Sequence, residues 1–397
     1  MANHYIPFAN SASDWPLIGS FYSGAAGCRV TLQSVQKAGS KPLPQCRLWV
    51  DASVDGLHSP AVAAPEYKIN RDYKAYIRQF DGYDRIADPQ FQRAPDRATT
   101  AEFVKSVLDV AQAVPGSGWL SVPQLPYSAG NDRNRINRLL AETAWEWKSA
   151  ARYREKLILP VILPEAGQTD KKMDRNPKVD LASACLESSG ADGVWVVDSR
   201  LNDQDGMKDF ENIRFRGLVS FHEELNSKIP NETVTVAGPY WGLNIILWAR
   251  GLIKLPAIGL GKSYQYHIAG GRQNKGLSRV ALSPLRRLAQ WSPDLRKWLE
   301  DALRDLPKSD PAHIEFEKIH RGFESLRNED FSRRQTARFY KEWLGKIEAV
   351  PPTSRALSLY QDFSAAYVLG KGLKPLPGPE KVKDPARIAK QLMVNCL

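Results

Sequence analysis

The sequence predicts an α/β protein: a (β/α)8 TIM-like barrel with a C-terminal, mainly α-helical extension. Three observations support this prediction. Apolar, β-branched runs recur up to Gly271, segments with helical apolar spacing lie between them, and the pattern then becomes helical. Repeated β-α units over about 250 residues are typical of such a barrel. A chain of 397 residues is long enough for the barrel and an extension.

Seven apolar runs are predicted to be barrel strands. Each is continuous rather than alternating, as expected of parallel strands that are buried on both faces. The runs are 15–22, 46–53, 118–127, 156–165, 192–199, 234–240 and 255–261.

The segments between these runs include three predicted helices. They are 98–114, capped by Thr99 or Thr100, then 131–156, and 178–190, which ends on Gly190. An open, doubly wound sheet is the alternative architecture. Its phosphate-binding glycine loop would have to be "YSGAAGC" at 22–28, where the glycine spacing does not fit.

The extension differs from the barrel in pattern and in charge. We therefore divide the chain into a barrel at 1–271 and a basic helical region at 272–397. Helices are predicted at 282–306, 311–325 and 331–349. From Gly271 onward there are 24 Lys and Arg against 15 Asp and Glu, so this part carries +9 of the total charge of +11. Such an excess suggests an acidic partner such as DNA or tRNA, and a solvated basic surface is the alternative.

Several classes of protein do not fit the sequence. No apolar run approaches the roughly 18 residues of a membrane span, and the first residues lack the basic and apolar segments of a signal peptide. Cys28, Cys46, Cys185 and Cys396 share no C-x-x-C spacing, which argues against a zinc site or a disulfide framework. We expect a cytoplasmic protein without membrane contact, metal or cofactor.

Candidate catalytic residues lie where predicted strands end, because barrel enzymes place their chemistry at the carboxyl ends of strands. Asp51 and Asp198 each end an apolar run. A carboxylate in such a place is costly unless it is hydrogen-bonded or used. Both are predicted to be catalytic, and a bracing or capping role is the alternative.

Candidate substrate-binding residues follow the same strand ends. Aromatic side chains there can sandwich a planar base or a sugar ring, or they can simply plug the barrel. The candidates are Gln124, Glu165, Gly238, Tyr240, Trp241, Lys262, Tyr264, Tyr266 and His267.

The order of segments resembles the tRNA-guanine transglycosylase superfamily, including its branch that inserts 7-deazaguanines into DNA. "LWVDASVDG" is similar to the family strand that ends in Asp-Ser-Gly-Gly-Phe, which places the family's Asp at Asp51. "VILPEAGQ" and "DLASACLESSGADGVWVVD" are similar to later family segments, and the resemblance covers roughly residues 15–270. It implies a (β/α)8 barrel that exchanges a guanine in a polynucleotide through a covalent glycosyl-enzyme intermediate.

The sequence departs from that family at three places. No Asp or Glu lies between Gly238 and Gly271, where the family's nucleophile would fall. The base-reading Asp is replaced by Val122 or Gln124, and the Cys-x-Cys-x-x-Cys…His zinc site is missing.

Three functions follow from the residues and the resemblance together. The favoured one is processing of a base in nucleic acid at its N-glycosidic bond, which as an enzyme activity would be pentosyl transfer. Asp198 would be the nucleophile or electrostatic partner, Asp51 the base or anchor, and Gln124 the reader of a purine edge. The alternatives are a non-catalytic nucleic-acid-binding or scaffolding protein in a modification or defence complex, and a TIM-barrel glycosidase.

Overall fold

Eight parallel strands form a closed barrel in the computed structural model, and β1 pairs with both β2 and β8 to complete the ring. The strands are β1 Ile6–Ala9, β2 Cys28–Thr31, β3 Leu48–Asp51, β4 Ser117–Ser121, β5 Lys156–Leu163, β6 Gly193–Asp198, β7 Val234–Ala237 and β8 Leu255–Gly259. The structure describes residues 4–58, 68–127, 134–163, 177–199, 201, 209–240, 242–260, 266, 279–323, 329–378 and 383–396. The predicted (β/α)8 architecture is therefore confirmed, and the open sheet is excluded.

Helices alternate with these strands. They are α1 Trp15–Phe21, α2 Leu32–Ala38, α3 Lys68–Ile77, α4 Tyr83–Ala87, α5 Pro89–Arg93, α6 Arg97–Gln112, α7 Arg135–Ala150, α8 Pro177–Ser189, α9 Asp209–Lys228 and α10 Leu243–Ala249. The extension contains an antiparallel hairpin and five further helices among its described residues. They are β9 Arg279–Leu282, β10 Arg287–Gln290, α11 Pro293–Asp305, α12 Pro311–Gly322, α13 Glu329–Glu348, α14 Arg355–Gly372 and α15 Arg387–Met393. Across the described ranges, none of the helices has the length and apolarity that crossing a membrane requires.

Three sequence-based assignments are wrong. The helix predicted at 98–114 is capped by Asp96 rather than by Thr99 or Thr100, because the Asp96 side chain accepts from the N–H of Thr99. Segment 15–22 is the helix α1 rather than a strand, because Pro16 in its first turn has a backbone angle suited to a helix start. Strands β1 and β2 were not predicted, and the interior of β2 carries the charged Arg29. Segment 282–306 is not one helix, since its first part forms the turn and second strand of the β9–β10 hairpin.

Aromatic rings fill the inside of the barrel. Trp49 on β3 and Trp195 on β6 pack edge to face, with their ring centroids 5.4 Å apart, and Phe8 on β1 lies 5.3 Å from each. All three side chains are almost fully buried. Because side chains alternate along a strand, Trp49 and Trp195 fix which of their neighbours point inward.

The extension packs against the barrel and shares its hydrophobic core. Trp343 and Leu344 of α13 and Phe363 of α14 belong to the same cluster of buried residues as the barrel interior. The hydroxyl of Tyr22 donates a hydrogen bond to the carbonyl of Ala337 at 2.9 Å. A second, smaller core lies within the extension itself, between the hairpin and helices α11 and α12. Residues after 271 thus complete the barrel core as well as forming their own.

His222 on α9 makes the fold sensitive to acid. The side chain is fully buried, neither ring nitrogen has a hydrogen-bond partner within the described ranges, and burial lowers its pKa to about 3. In the unfolded chain the ring titrates near 6.5. Between these values only the unfolded state binds the proton, so acid favours unfolding. We expect the free energy of unfolding to fall by about 2 kcal/mol from this residue between pH 7 and pH 5.

The measurement is urea unfolding at several pH values, with His222→Leu as the comparison. Carboxyl groups titrate in the same window, but they are common to both proteins. The wild type should therefore lose more stability toward pH 5 than His222→Leu does. Identical pH profiles for the two proteins would contradict the assignment.

Candidate site at the mouth of the barrel

A buried ion pair joins Arg29 of β2 to Asp51, the last residue of the neighbouring strand β3. The guanidinium Nε donates to Asp51 Oδ2 at 3.0 Å, and Nη2 bonds the same oxygen. Nη1 donates to Asn10 Oδ1 at 2.8 Å. The guanidinium carbon lies 4.9 Å from the ring centre of Phe8 and 5.1 Å from that of Trp195. Arg29 is thus fixed on all sides, and its charge balances that of Asp51.

The turn after β3 holds Asp51 in place. The backbone N–H of Ser53 donates to Asp51 Oδ1 at 3.1 Å, and Ser53 has a positive φ of 52°. Tyr73 donates to the carbonyl of Ser53 at 2.9 Å, and Tyr76 donates to the carbonyl of Ala52. Burial, together with the nearby carboxylates, raises the pKa of both tyrosines well above the ordinary value, so they remain neutral donors.

A second carboxylate, Asp55, faces the same cavity. The hydroxyl of Tyr266 donates a hydrogen bond to Asp55 Oδ2. Burial raises the pKa of Tyr266 well above its usual range, and the charges of Asp55 and Asp51 raise it further. Asp51, Asp55 and Tyr266 all line one cavity. The mouth therefore contains two inward-facing carboxylates that lie four positions apart in the sequence.

Gln124 adds a hydrogen-bond acceptor to this cavity. Its Nε2 donates to the carbonyls of Pro123 at 2.9 Å and Asn137 at 3.0 Å, which fixes the orientation of the amide. Its Oε1 is buried and has no hydrogen-bond partner among the residues that the structure describes. A buried acceptor without a partner costs about 1–3 kcal/mol. Gln124 can therefore only accept, rather than both donate and accept as the sequence suggested.

The cavity is small and is lined by both polar and apolar side chains. Trp195 and Ile162 line it together with the carboxylates and Gln124. It has room for about one water molecule. A larger ligand must lie across its opening or displace its walls.

Asp198 lies on the other face of the barrel wall. Trp195 points inward on β6, so Asp198, three residues further on, points outward toward the helices. There Arg214 of α9 donates from Nε to Asp198 Oδ2 at 2.6 Å, and Asp198 is not part of the cavity lining. The structure therefore does not bring Asp51 and Asp198 together, and the predicted catalytic pair does not assemble.

Gly238 and Tyr240 both make close contacts with other residues of the barrel. Gly238 has a φ of 92°, and a Cβ there would lie 2.9 Å from Nδ2 of Asn244. The hydroxyl of Tyr240 accepts from the N–H of Asp198 at 2.7 Å and donates to the carbonyl of Val196 at 3.2 Å, continuing the β6 ladder beyond β7. Glycine is thus required at 238 because Asn244 approaches the backbone closely there. Contact of Gly238 or Tyr240 with a ligand stays a prediction.

The other predicted site residues cannot be placed. Glu165, Trp241, Lys262, Tyr264 and His267 lie outside the described residues. Within the part of the chain that the structure describes, no three His, Cys, Asp or Glu side chains are grouped so that they could hold a metal ion.

One residue of the site, Arg29, was not among the sequence-based candidates. Arg29 lies in the short strand β2, whose register pairs Thr31 with Asp51, so the missed strand also concealed the ion pair. Asp55 is in the segment already noted, but a turn residue gives no sign of its direction. One signal could have identified Arg29. It is a charged residue inside a short strand, and the neighbouring strand ends in Asp.

Comparison with known proteins does not assign this protein to a family, so its class is defined by its fold and its site. No family model matches the chain, and no curated protein is significantly similar to it. It is a (β/α)8 barrel protein with a helical extension and a carboxylate-lined mouth. The barrel agrees with the fold that the resemblance implied, while nothing identifies the transglycosylase superfamily.

Proposed function

We propose that this protein binds nucleic acid, receives one base at the mouth of the barrel and acts there on its N-glycosidic bond. The observation that carries the proposal is the set of inward-facing acceptors around one cavity. Asp51, Asp55 and Gln124 Oε1, which has no partner within the described part of the chain, can all accept hydrogen bonds from a ligand. Such a set favours a ligand that presents several N–H donors on one edge, as a guanine-type base does.

The size of the cavity limits how the base binds. Because there is room for about one water molecule, the base lies across the opening and only its donor edge reaches inward.

Breaking the bond between the base and C1′ leaves positive charge on the sugar, and a nearby carboxylate stabilises that charge. In hydrolysis, a C1′–O bond to water forms while the C1′–N bond breaks. The proton of the water passes to the departing base. Asp51 is the carboxylate to which we assign this role, because it lines the cavity whereas Asp198 does not.

Binding without chemistry is the second candidate function. The ion pair with Arg29 balances the charge of Asp51 in the free protein, and the cavity is narrow. Both features suit a barrel that recognises a base but does not cleave its bond. This function agrees with a scaffolding role in a larger complex.

The test uses short single-stranded DNA and RNA oligonucleotides that contain all the common bases. Released bases are measured by mass spectrometry. We expect release by the wild type and a decrease of about 10²-fold or more in Asp51→Asn. Asp180→Asn, which alters a carboxylate on α8 paired with Lys228, is the matched control and should keep the wild-type rate.

Each alternative predicts a different result. Salt-dependent binding by the wild type without base release supports the binding function. An unchanged rate in Asp51→Asn contradicts the role of this residue. Hydrolysis of a neutral sugar polymer, with no affinity for nucleic acid, indicates a glycosidase. Asp51→Glu retains the charge beside Arg29, so it reports on carboxylate placement if Asp51→Asn does not fold.

A further inference from the structure

A groove on the extension runs between α12 and α13, remote in sequence from the barrel mouth. It contains about 780 Å³ of unfilled space, part of which is open to solvent. Its lining consists of Ser283, Glu315, Lys318, Ile319, Phe331, Arg334, Gln335, Arg338, Phe339 and Glu342. Cations and aromatic rings therefore occur together in one concave surface.

Among the described residues, two arginines of α13 supply the cations of the groove that are free to bind a ligand. Arg334 and Arg338 are exposed, and their spacing places them one helical turn apart on one face. Neither makes an ion pair with any residue that the structure describes. On α12, by contrast, Lys318 pairs with Glu315 and Arg321 pairs with Glu317. Arg334 and Arg338 are thus available to an anionic ligand.

The floor of the groove is apolar and well fixed. Ile319 and Phe339 are buried there, and Phe331 is partly exposed. A Cβ on Gly322 would lie 2.0 Å from the ring of Phe331, so the glycine allows that ring its position. Gln335 bonds both the N–H and the carbonyl of Ala281 at 2.9 and 2.7 Å, which ties α13 to the hairpin.

The acids of the groove leave a cationic surface at its centre. Glu315 is neutralised by Lys318 at 2.6 Å. Glu342 lies one turn beyond Arg338 and therefore at one end of the cationic pair. Phosphates would be attracted between Arg334 and Arg338 and repelled past Glu342.

We propose that this groove binds single-stranded nucleic acid, with Arg334 and Arg338 contacting successive phosphates and a base stacking on Phe331. Paired cations beside an aromatic ring are the common arrangement for single strands, because every base offers a stacking face. The inference rests on the proposed function, since it supplies the affinity that holds the polymer while a base reaches the barrel mouth.

The test is fluorescence anisotropy with a labelled single-stranded oligonucleotide over a series of salt concentrations. The double variant Arg334→Ala/Arg338→Ala removes two contacts, so the slope of log K against log salt should become shallower by about 1.4. The affinity should fall about tenfold near 0.15 M salt. The control is Lys341→Ala/Lys346→Ala, which removes the same charge from exposed positions of α13 outside the groove lining.

The outcomes separate this inference from the proposed function. A control variant that binds like the wild type, beside a weakened groove variant, supports the groove. Equal slopes in the wild type and the groove variant overturn the groove but leave binding at the barrel mouth standing. Equal losses in both double variants indicate diffuse charge and also overturn it. If the wild type binds no nucleic acid, the proposed function and the groove both fail.

Discussion

Arg29→Met is expected to destabilise the protein by about 3–5 kcal/mol, because it leaves the buried carboxylate of Asp51 without its cation. Asp51 is 5% exposed, and Ser53 is then the remaining hydrogen-bond donor to it in the described structure. The substitution also removes the guanidinium from its place over the rings of Phe8 and Trp195. A loss of this size is a large part of the 5–15 kcal/mol by which domains are usually stable. Urea unfolding measures it.

The control is the double variant Arg29→Met/Asp51→Leu, which removes both charges together. Replacing a buried ion pair by apolar side chains is often close to neutral, so we expect the double variant to recover most of the stability. Together with the wild type and the single variant Asp51→Leu, these two variants complete a double-mutant cycle. A double variant as unstable as Arg29→Met alone would show that packing, and not the charge of Asp51, determines the loss.

Trp195→Ala is expected to cost about 3–5 kcal/mol of unfolding free energy, because it empties the centre of the barrel. The ring of Trp195 contacts those of Phe8, Trp49 and Tyr266 at centroid distances of 5.3, 5.4 and 5.2 Å. Its Nε1 donates to the carbonyl of Gly238 at 2.7 Å, so the substitution also leaves that carbonyl without this bond. Thermal or urea unfolding again provides the measurement.

Trp145→Ala is the matched comparison, since Trp145 is 49% exposed on α7. We expect it to cost about 1 kcal/mol or less. Trp195→Phe separates the two contributions at the buried site, because it retains an aromatic ring but removes the donor to Gly238. If Trp195→Ala were no more costly than Trp145→Ala, the aromatic centre of the barrel would not be a determinant of stability.

The sequence predicted the elements whose signal is local. The strands at 156–165 and 192–199 are long and continuously apolar, and the structure has β5 and β6 there. The helix at 178–190 ends at Gly190, which has the positive φ of 54° expected of a residue after a helix. Asp51 was chosen because a carboxylate at a strand end needs a partner, and it has one.

The missed elements are those whose signal is short or non-local. β1 and β2 were not assigned from the sequence, and they become evident in the pairing that closes the barrel. The direction of Asp198 follows from strand alternation once Trp195 is known to point inward, and only the folded barrel shows which way Trp195 points. Arg29 became a site residue only through the register of β2 against β3.

The sequence by itself determined the (β/α)8 class, the basic helical extension and the position of Asp51 at a strand end. These follow from apolar runs, turn residues and charge counts, which are properties of neighbouring positions along the chain. Only the tertiary structure decided that Arg29 neutralises Asp51, that Asp55 joins it at the mouth and that Asp198 turns away. The physical reason is that barrel closure sets strand register, and register decides which distant side chains share a cavity and which face the helices.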